Sequence, residues 1–144
     1  MEPHGDPESD IPARLAIVTG RLNRRLRAAS GGISHGLLSA LAALNYHGAM
    51  RQAELSQLES ISAPSTTRLI SELERMGLVS RETDEHDRRA VLVSITEAGA
   101  QTVVRARLSR AMSIVEMFEK LTPEEQATIA AAVGPLEKAV GHGV

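Results

Sequence analysis

Between Ser62 and Arg89 the chain carries hydroxyl and guanidinium side chains at helical and then hairpin spacing, a set suited to gripping an anion or a base edge rather than breaking a bond. On a 3.6-residue wheel Pro64, Thr67, Arg68, Ser71 and Arg75 share one side, with Ser62 and Ser65 at the start of the same segment. Arg88 and Arg89 follow in a charged run that also holds Asp87. Bond-making chemistry has little to work with. The five histidines, at 4, 35, 47, 86 and 142, show no HExxH and no pair at metal-ligand spacing, so neither a metal nor another cofactor is expected. There is no glycine-rich phosphate loop, no G-x-S-x-G and no cysteine, which removes thiol nucleophiles, disulfides and thiolate zinc sites together. The chain is not expected to be an enzyme.

The elements that must hold these side chains are legible around them. Ser62 is a good N-cap, and Pro64 falls in the first turn, where a missing N–H costs nothing. Thr66, Leu69, Ile70, Leu73 and Met76 form the inward side of the helix so started, and Gly77 supplies the left-handed residue that ends it. Leu78, Val79 and Arg81 lead into a strand, and Ala90 to Thr96 is a β-branched run with Val91, Val93 and Ile95 on one side. The intervening Thr83 to Arg89 has no apolar residue and is expected to project into solvent. A polar-faced helix followed by a charged hairpin is the layout of a winged helix-turn-helix. Its helix fits a major groove about 12 Å wide, and an arginine on its wing reaches the neighbouring minor groove. Either segment alone reads as a solvated surface; their order and spacing favour the winged reading.

Four runs carry a resemblance: Thr67-Arg68-Leu69-Ile70, Leu73-Glu74-Arg75-Met76-Gly77-Leu78-Val79, Asp84-Glu85-His86-Asp87-Arg88-Arg89 and Ile95-Thr96-Glu97-Ala98-Gly99. Together they resemble the core signature of the MarR (multiple antibiotic resistance regulator) family of bacterial transcription factors. The D-x-R-R wing followed by a strand and T-E-x-G is the more specific part, while His86 stands where the family often has arginine or asparagine. The resemblance implies a homodimer on a double-stranded, palindromic DNA operator, with the arginine at position 89 entering the minor groove. It also implies a small-molecule effector, often anionic and aromatic, in a cleft between the dimer helices and the DNA-binding lobe. Here that cleft would draw on the first, second and fifth helices, with Tyr46 and Phe118 the only aromatic residues and His35 and His47 flanking the second helix. Asp87 lies two residues before Arg89, so on an extended hairpin its carboxylate would hold that guanidinium in a fixed fork.

In chain order, the acidic, Pro/Gly-broken residues 1–10 read as a disordered tail without a signal peptide. Ile11, Leu15, Val18, Leu22, Leu26 and Ala29 give a first helix with one apolar stripe. Ser34 caps a second, with Leu37, Leu38, Leu41 and Leu44 inward, and Ala49-Met50 is a short extended link. Arg51 to Glu59 makes a third, packing through Leu55 and Leu58, whose N-terminus with Arg51 and Gln52 suits a phosphate. After the hairpin, Val104, Leu108, Ala111, Val115 and Phe118 step by four and three in a heptad-like seam. Thr122 and Glu125 form a capping box for the last helix, whose stripe is Ala127, Ala130, Val133, Leu136 and Val140, with a kink expected at Gly134-Pro135.

The fold class expected is mainly α with a small β-hairpin wing. A winged helix-turn-helix lobe at 34–99 is flanked by an N-terminal dimerisation helix at 11–33 and C-terminal dimerisation helices at 100–144. Leu15, Val18, Leu108, Val115, Phe118, Val133 and Leu136 are the interface candidates. No apolar run approaches 18 residues, so no membrane span is expected, and a cytoplasmic protein is. A formal net charge of −2 does not announce a nucleic-acid binder. Distribution matters more: Ile11 to Ala53 holds no acidic residue but six arginines, and arginine outnumbers lysine 14 to 2. The function expected is a dimeric, sequence-specific DNA-binding transcriptional regulator, a repressor released by a small molecule, with activation left open. The alternative is a helical protein-interaction module whose winged helix binds a protein partner.

Overall fold

Ser62 accepts a hydrogen bond from Ser65 N–H and starts the central helix, and Gly77, at φ +73°, ends it. The computed structural model describes residues 10–141; the expected disordered tail lies outside the described residues except for Asp10, which N-caps the first helix. The elements are α1 (Ile11–Ala29), α2 (His35–His47), β1 (Met50–Arg51), α3 (Gln52–Leu58), α4 (Ala63–Arg75), β2 (Val79–Thr83), β3 (Val91–Ile95), α5 (Glu97–Phe118) and α6 (Pro123–Val140). The chain is mainly helical with a three-stranded antiparallel sheet in the order β1-β3-β2. The expected extended link at Ala49-Met50 is a strand shifted by one residue, β1, whose Met50 and Arg51 lie opposite Val93 and Leu92.

One core gathers the lobe. Leu41 and Leu44 of α2, Leu55 of α3, Ile70 and Leu73 of α4, Val93 of β3 and Val103 of α5 are all buried. Thr66, on the inner side of α4, is buried too, its hydroxyl 2.7 Å from that of Ser56 and donating to the Ser62 carbonyl. Three expected inward residues are not. Met76 (39% exposed) is the C-cap, where the chain leaves the helical wheel. Val91 (49% exposed) pairs with Thr83 at the far end of the hairpin, beyond the reach of the core. Leu58 is the last residue of α3 and faces a cavity instead of the core.

The end helices are different. Among the described residues α1 and α6 bury none. Arg25 of α1 donates to Ser113 Oγ and lies 3.9 Å from Glu116, and Arg110 donates to Ser30 Oγ at 2.7 Å, so polar contacts seat α1 on α5. The α5 seam stays open: Leu108 is 61% exposed and Met112 65%. The capping box at Thr122 and Glu125 forms as expected, and α6 continues through Pro135.

The junction between hairpin and α5 is tight. Thr96 N–H donates to the Leu78 carbonyl at 3.0 Å, and Thr96 Oγ1 donates to the Gly77 carbonyl at 2.8 Å and accepts from Gly99 N–H. A Cβ on Gly99 would collide with the Leu78 carbonyl oxygen and stand 2.7 Å from Ile95 Cγ1. Gly99→Ala is therefore expected to destabilise the protein by about 1–3 kcal/mol or more in urea titration at fixed protein concentration. Gly36→Ala, whose methyl would meet only Leu69 Cδ1 at 3.9 Å, should carry no such cost.

Candidate nucleic-acid interface

The outer side of α4 exposes Pro64, Ser65, Thr67, Arg68, Ser71 and Arg75, as the wheel predicts. Their freedom differs. Thr67 accepts from the Gln52 side-chain amide and donates to the Ala63 carbonyl, which pins α3 to the first turns of α4. Ser71 accepts from Arg81 Nη2 at 3.3 Å, and Arg81 also pairs with Glu74 at 3.0 Å, tying β2 to α4. Ser62 and Ser65 are occupied with each other through the cap. Arg68 and Arg75 have no ion pair or hydrogen bond through their side chains among the described residues. Arg68 is therefore the free cation in the middle of the helix face.

The wing is built differently from the expectation. Asp87 does not fork the Arg89 guanidinium; its Oδ1 accepts from the Arg89 backbone N–H at 3.1 Å, while Oδ2 lies 3.7 Å from Arg51 Nη2. Spacing along a strand suggested that pairing, but Asp87 opens and Arg89 lies within a turn closed by Ala90 N–H to the Asp87 carbonyl, so no extended register applies. Arg88 and Arg89 are left exposed without a side-chain partner among the described residues.

Arg51 is also placed differently. Its backbone N–H is satisfied by the Glu54 carboxylate at 2.7 Å, and its guanidinium donates to Asp84 Oδ2 at 3.0 Å. Of the donors expected at the α3 N-terminus, the Arg51 N–H and guanidinium and the Gln52 side-chain amide are thus engaged within the chain. Asp84, only 8% exposed, departs from the solvent projection expected of the whole loop, and its Oδ1 accepts from His86 N–H at 2.9 Å. The His86 N–H and then the Arg51 guanidinium stabilise the Asp84 carboxylate and hold its pKa below the usual range; the same contact with Asp84 raises that of Arg51.

On the other side of the lobe lies a cavity of about 600 Å³, lined by residues of α2, the end of α3 and α5. His35, Tyr46 and His47 line it as expected, Tyr46 and His47 meeting edge to face at 4.8 Å. Phe118 and α1 do not contribute, because Phe118 lies at the far end of α5. Charge comes from Glu59 and from Arg107 and Arg110, residues the sequence reading overlooked as lining; the arginines fall between the residues of the Val104, Leu108 and Ala111 seam. Of the interface candidates, Leu15, Val18, Leu108, Val115, Val133 and Leu136 are exposed, and Phe118 is half-buried. Among the described residues no His, Cys, Asp and Glu cluster could hold a metal ion, and no helix is long and apolar enough to cross a membrane.

Residues 33–91 match the sequence model of the MarR family. An uncharacterized HTH-type transcriptional regulator of Mycobacterium bovis is 36% identical over 129 residues, covering 88% of this chain and 90% of that protein. An uncharacterized HTH-type transcriptional regulator of Bacillus subtilis is 30% identical over 72% of this chain and 64% of its own. Among solved structures, the YusO protein of Bacillus subtilis superposes with a TM-score of 0.75 at 23% identity, covering 92% of this chain and 95% of its own. Apo MarR of E. coli gives 0.70 at 22% identity, covering 88% and 96%.

The wing geometry sets an acid dependence. Asp84 binds its proton less readily in the folded chain than in the unfolded one, so its stabilising effect is present above the unfolded carboxylate pKa of about 4 and lost as pH falls through the lower folded value. Arg51, Asp87 and the His86 backbone are the groups that face it. Between pH 5 and pH 2, by order of magnitude the window of carboxylate protonation, wild-type protein should lose more stability than Asp84→Asn in thermal unfolding.

Proposed function

The chain belongs to the MarR family of transcriptional regulators, and from that premise we propose that it acts as a homodimeric, sequence-specific DNA-binding repressor released by a small-molecule effector. The observation that carries the DNA reading is the pairing pattern: Arg68 on α4 and Arg88 and Arg89 on the wing are exposed without side-chain partners among the described residues, whereas Arg51 and Arg81 are held by carboxylates of the lobe. A guanidinium in mid-helix suits a guanine edge in the major groove, and wing arginines suit a narrow minor groove. Ser62, Pro64, Ser65, Thr67 and Ser71 would surround Arg68 at the duplex, with Arg75 one turn further on.

The dimer rests on exposed apolar surface. Leu15 and Val18 of α1 and Val133 and Leu136 of α6 lie open on helices that bury no residue within the chain, and Leu108 and Val115 lie open on the side of α5 away from its buried Val103 and Ala106. Joining them in a second copy would hide an interface of the obligate kind, about 2,000 Å² or more. Residues 11–33 and 100–144 would then serve as dimerisation helices around the 34–99 lobe, on a palindromic operator in the cytoplasm. The effector would occupy the cavity of His35, Tyr46, His47, Arg107 and Arg110, whose aliphatic walls and two arginines, against the single carboxylate of Glu59, suit an anionic amphiphile. A protein-binding role for the winged helix has only the net charge in its favour.

Genomic fragments retained by purified protein would supply the operator for anisotropy measurements. Arg68→Ala and Arg89→Ala are each expected to cost about 1–3 kcal/mol per half-site, the first by relaxing one base position and the second by weakening the preference for A·T flanks. Unchanged affinity for both, with dimerisation intact, would overturn the interface. Leu108→Glu should shift the protein from dimer to monomer in light scattering at micromolar concentration, because two carboxylates would enter or border an apolar seam. A monomeric wild type would sink the proposed assembly.

A further inference from the structure

We infer that Arg51 acts as a positioning residue for the wing, fixing its tip through Asp84 and Asp87 so that Arg88 and Arg89 face the duplex, without itself touching DNA. The inference rests on the DNA-binding reading above. Arg51 ends β1, on the opposite side of β3 from β2, and its guanidinium crosses to the loop that joins β2 to β3. There it meets Asp84 Oδ2 at 3.0 Å and Asp87 Oδ2 at 3.7 Å. Each carboxylate has a second contact at the tip. Asp84 Oδ1 holds His86 N–H and Asp87 Oδ1 holds Arg89 N–H, so one guanidinium anchors both ends of the segment that carries the free arginines. Asp84 N–H to the Ala90 carbonyl closes the loop at its base. Asp84 is buried while its neighbours Thr83, Glu85 and His86 are exposed, as expected of an anchor rather than a solvated turn residue.

Charge points the same way. The tip holds Asp84, Glu85 and Asp87 against Arg88 and Arg89, an unfavourable sum beside phosphate. With Arg51 beside Asp84 and Asp87, the tip keeps its two outward cations while the charge of its two aspartates is halved and the buried one is paired. If Arg51 instead served as a phosphate contact, Asp84 would compete with DNA for it, and removing that carboxylate would strengthen binding. The two roles predict opposite signs for one substitution.

The experiment measures anisotropy of wild type, Asp84→Asn, Arg51→Ala and the double variant on operator duplexes with A·T-rich and G·C-rich flanks, at two salt concentrations. Positioning predicts that each single variant binds the A·T-flanked operator roughly tenfold more weakly and discriminates less between flanks, and that the double variant is no weaker than either single. Hydrogen exchange on the free dimers should show faster exchange across residues 84–90 in the variants and unchanged protection in α4. Equal or tighter binding by Asp84→Asn overturns the inference, as does a double variant whose loss is the product of the single ones. Wild-type protein that binds no duplex would instead overturn the regulator reading, and this inference with it.

Discussion

The constraint on which the molecule turns is the contact of Gly99 with the carbonyl of Leu78. At this point a long helix leaves the hairpin, and no side chain fits between the two. Thr96 caps that helix and donates to the Gly77 carbonyl, while its N–H takes the Leu78 carbonyl, so the end of α4, the start of β2 and the start of α5 share one hydrogen-bonded knot. Val103 and Ala106 then enter the core one and two turns later. The direction of α5 is therefore not free relative to α4. In a dimer built on α5, that fixed angle would carry over into the distance between the two outward helix faces.

Pairing within the lobe explains how an acidic chain can still offer cations. The formal −2 counts charges that the fold has already matched: Arg51 with Asp84 and Asp87, Arg81 with Glu74, Arg25 with Glu116. Exposed pairs of this kind stabilise the fold by little, about 1 kcal/mol or less. Their larger consequence is orientational, since each ties a surface guanidinium to a carboxylate and links two elements. Arg81 joins β2 to α4 and Arg51 joins β1 to the wing tip. Arg68 and Arg75 on α4 and Arg88 and Arg89 on the wing stay outside these pairs, as do Arg21 and Arg24 on α1.

Local signals were legible in the sequence and non-local ones were not. The Ser62 cap, the Gly77 stop and the Thr122–Glu125 box depend on residues within four positions of one another, and each forms as read. Met76 and Leu58 were misplaced because a wheel carries no information on where the helix ends, and both sit at or beside a terminus. The pairing of Arg51 with Asp84 spans 33 positions and requires the β1-β3-β2 order, which a two-residue strand does not announce. Reading Asp87 and Arg89 as strand neighbours failed for a related reason: both belong to a turn spanning residues 87–90. For the cavity, the histidines at the ends of α2 were visible, but Arg107 and Arg110 were hidden by attention to the apolar seam on the same helix.

The same helix thus presents two surfaces of different physical character. Its seam of Val104, Leu108 and Val115 is apolar and open, suited to a partner, while Arg107 and Arg110 lie against α2 over a cavity. Arg110 is bonded at once to Ser30, at the end of α1, so a group drawn to that guanidinium would compete with the contact that seats α1 on α5. An effector shifts an equilibrium only by as much as it binds one arrangement better than another. For the proposed effector, Arg110 would be the point of such a difference, because its Nε serves Ser30 while its Nη1 and Nη2 groups are left to meet an anion, and drawing the guanidinium into the cavity would load the Ser30 contact. Movement of α1 relative to α5 would follow, and the rigid Gly99 junction would transmit any tilt of α5 to the α4 face without needing a deformable core.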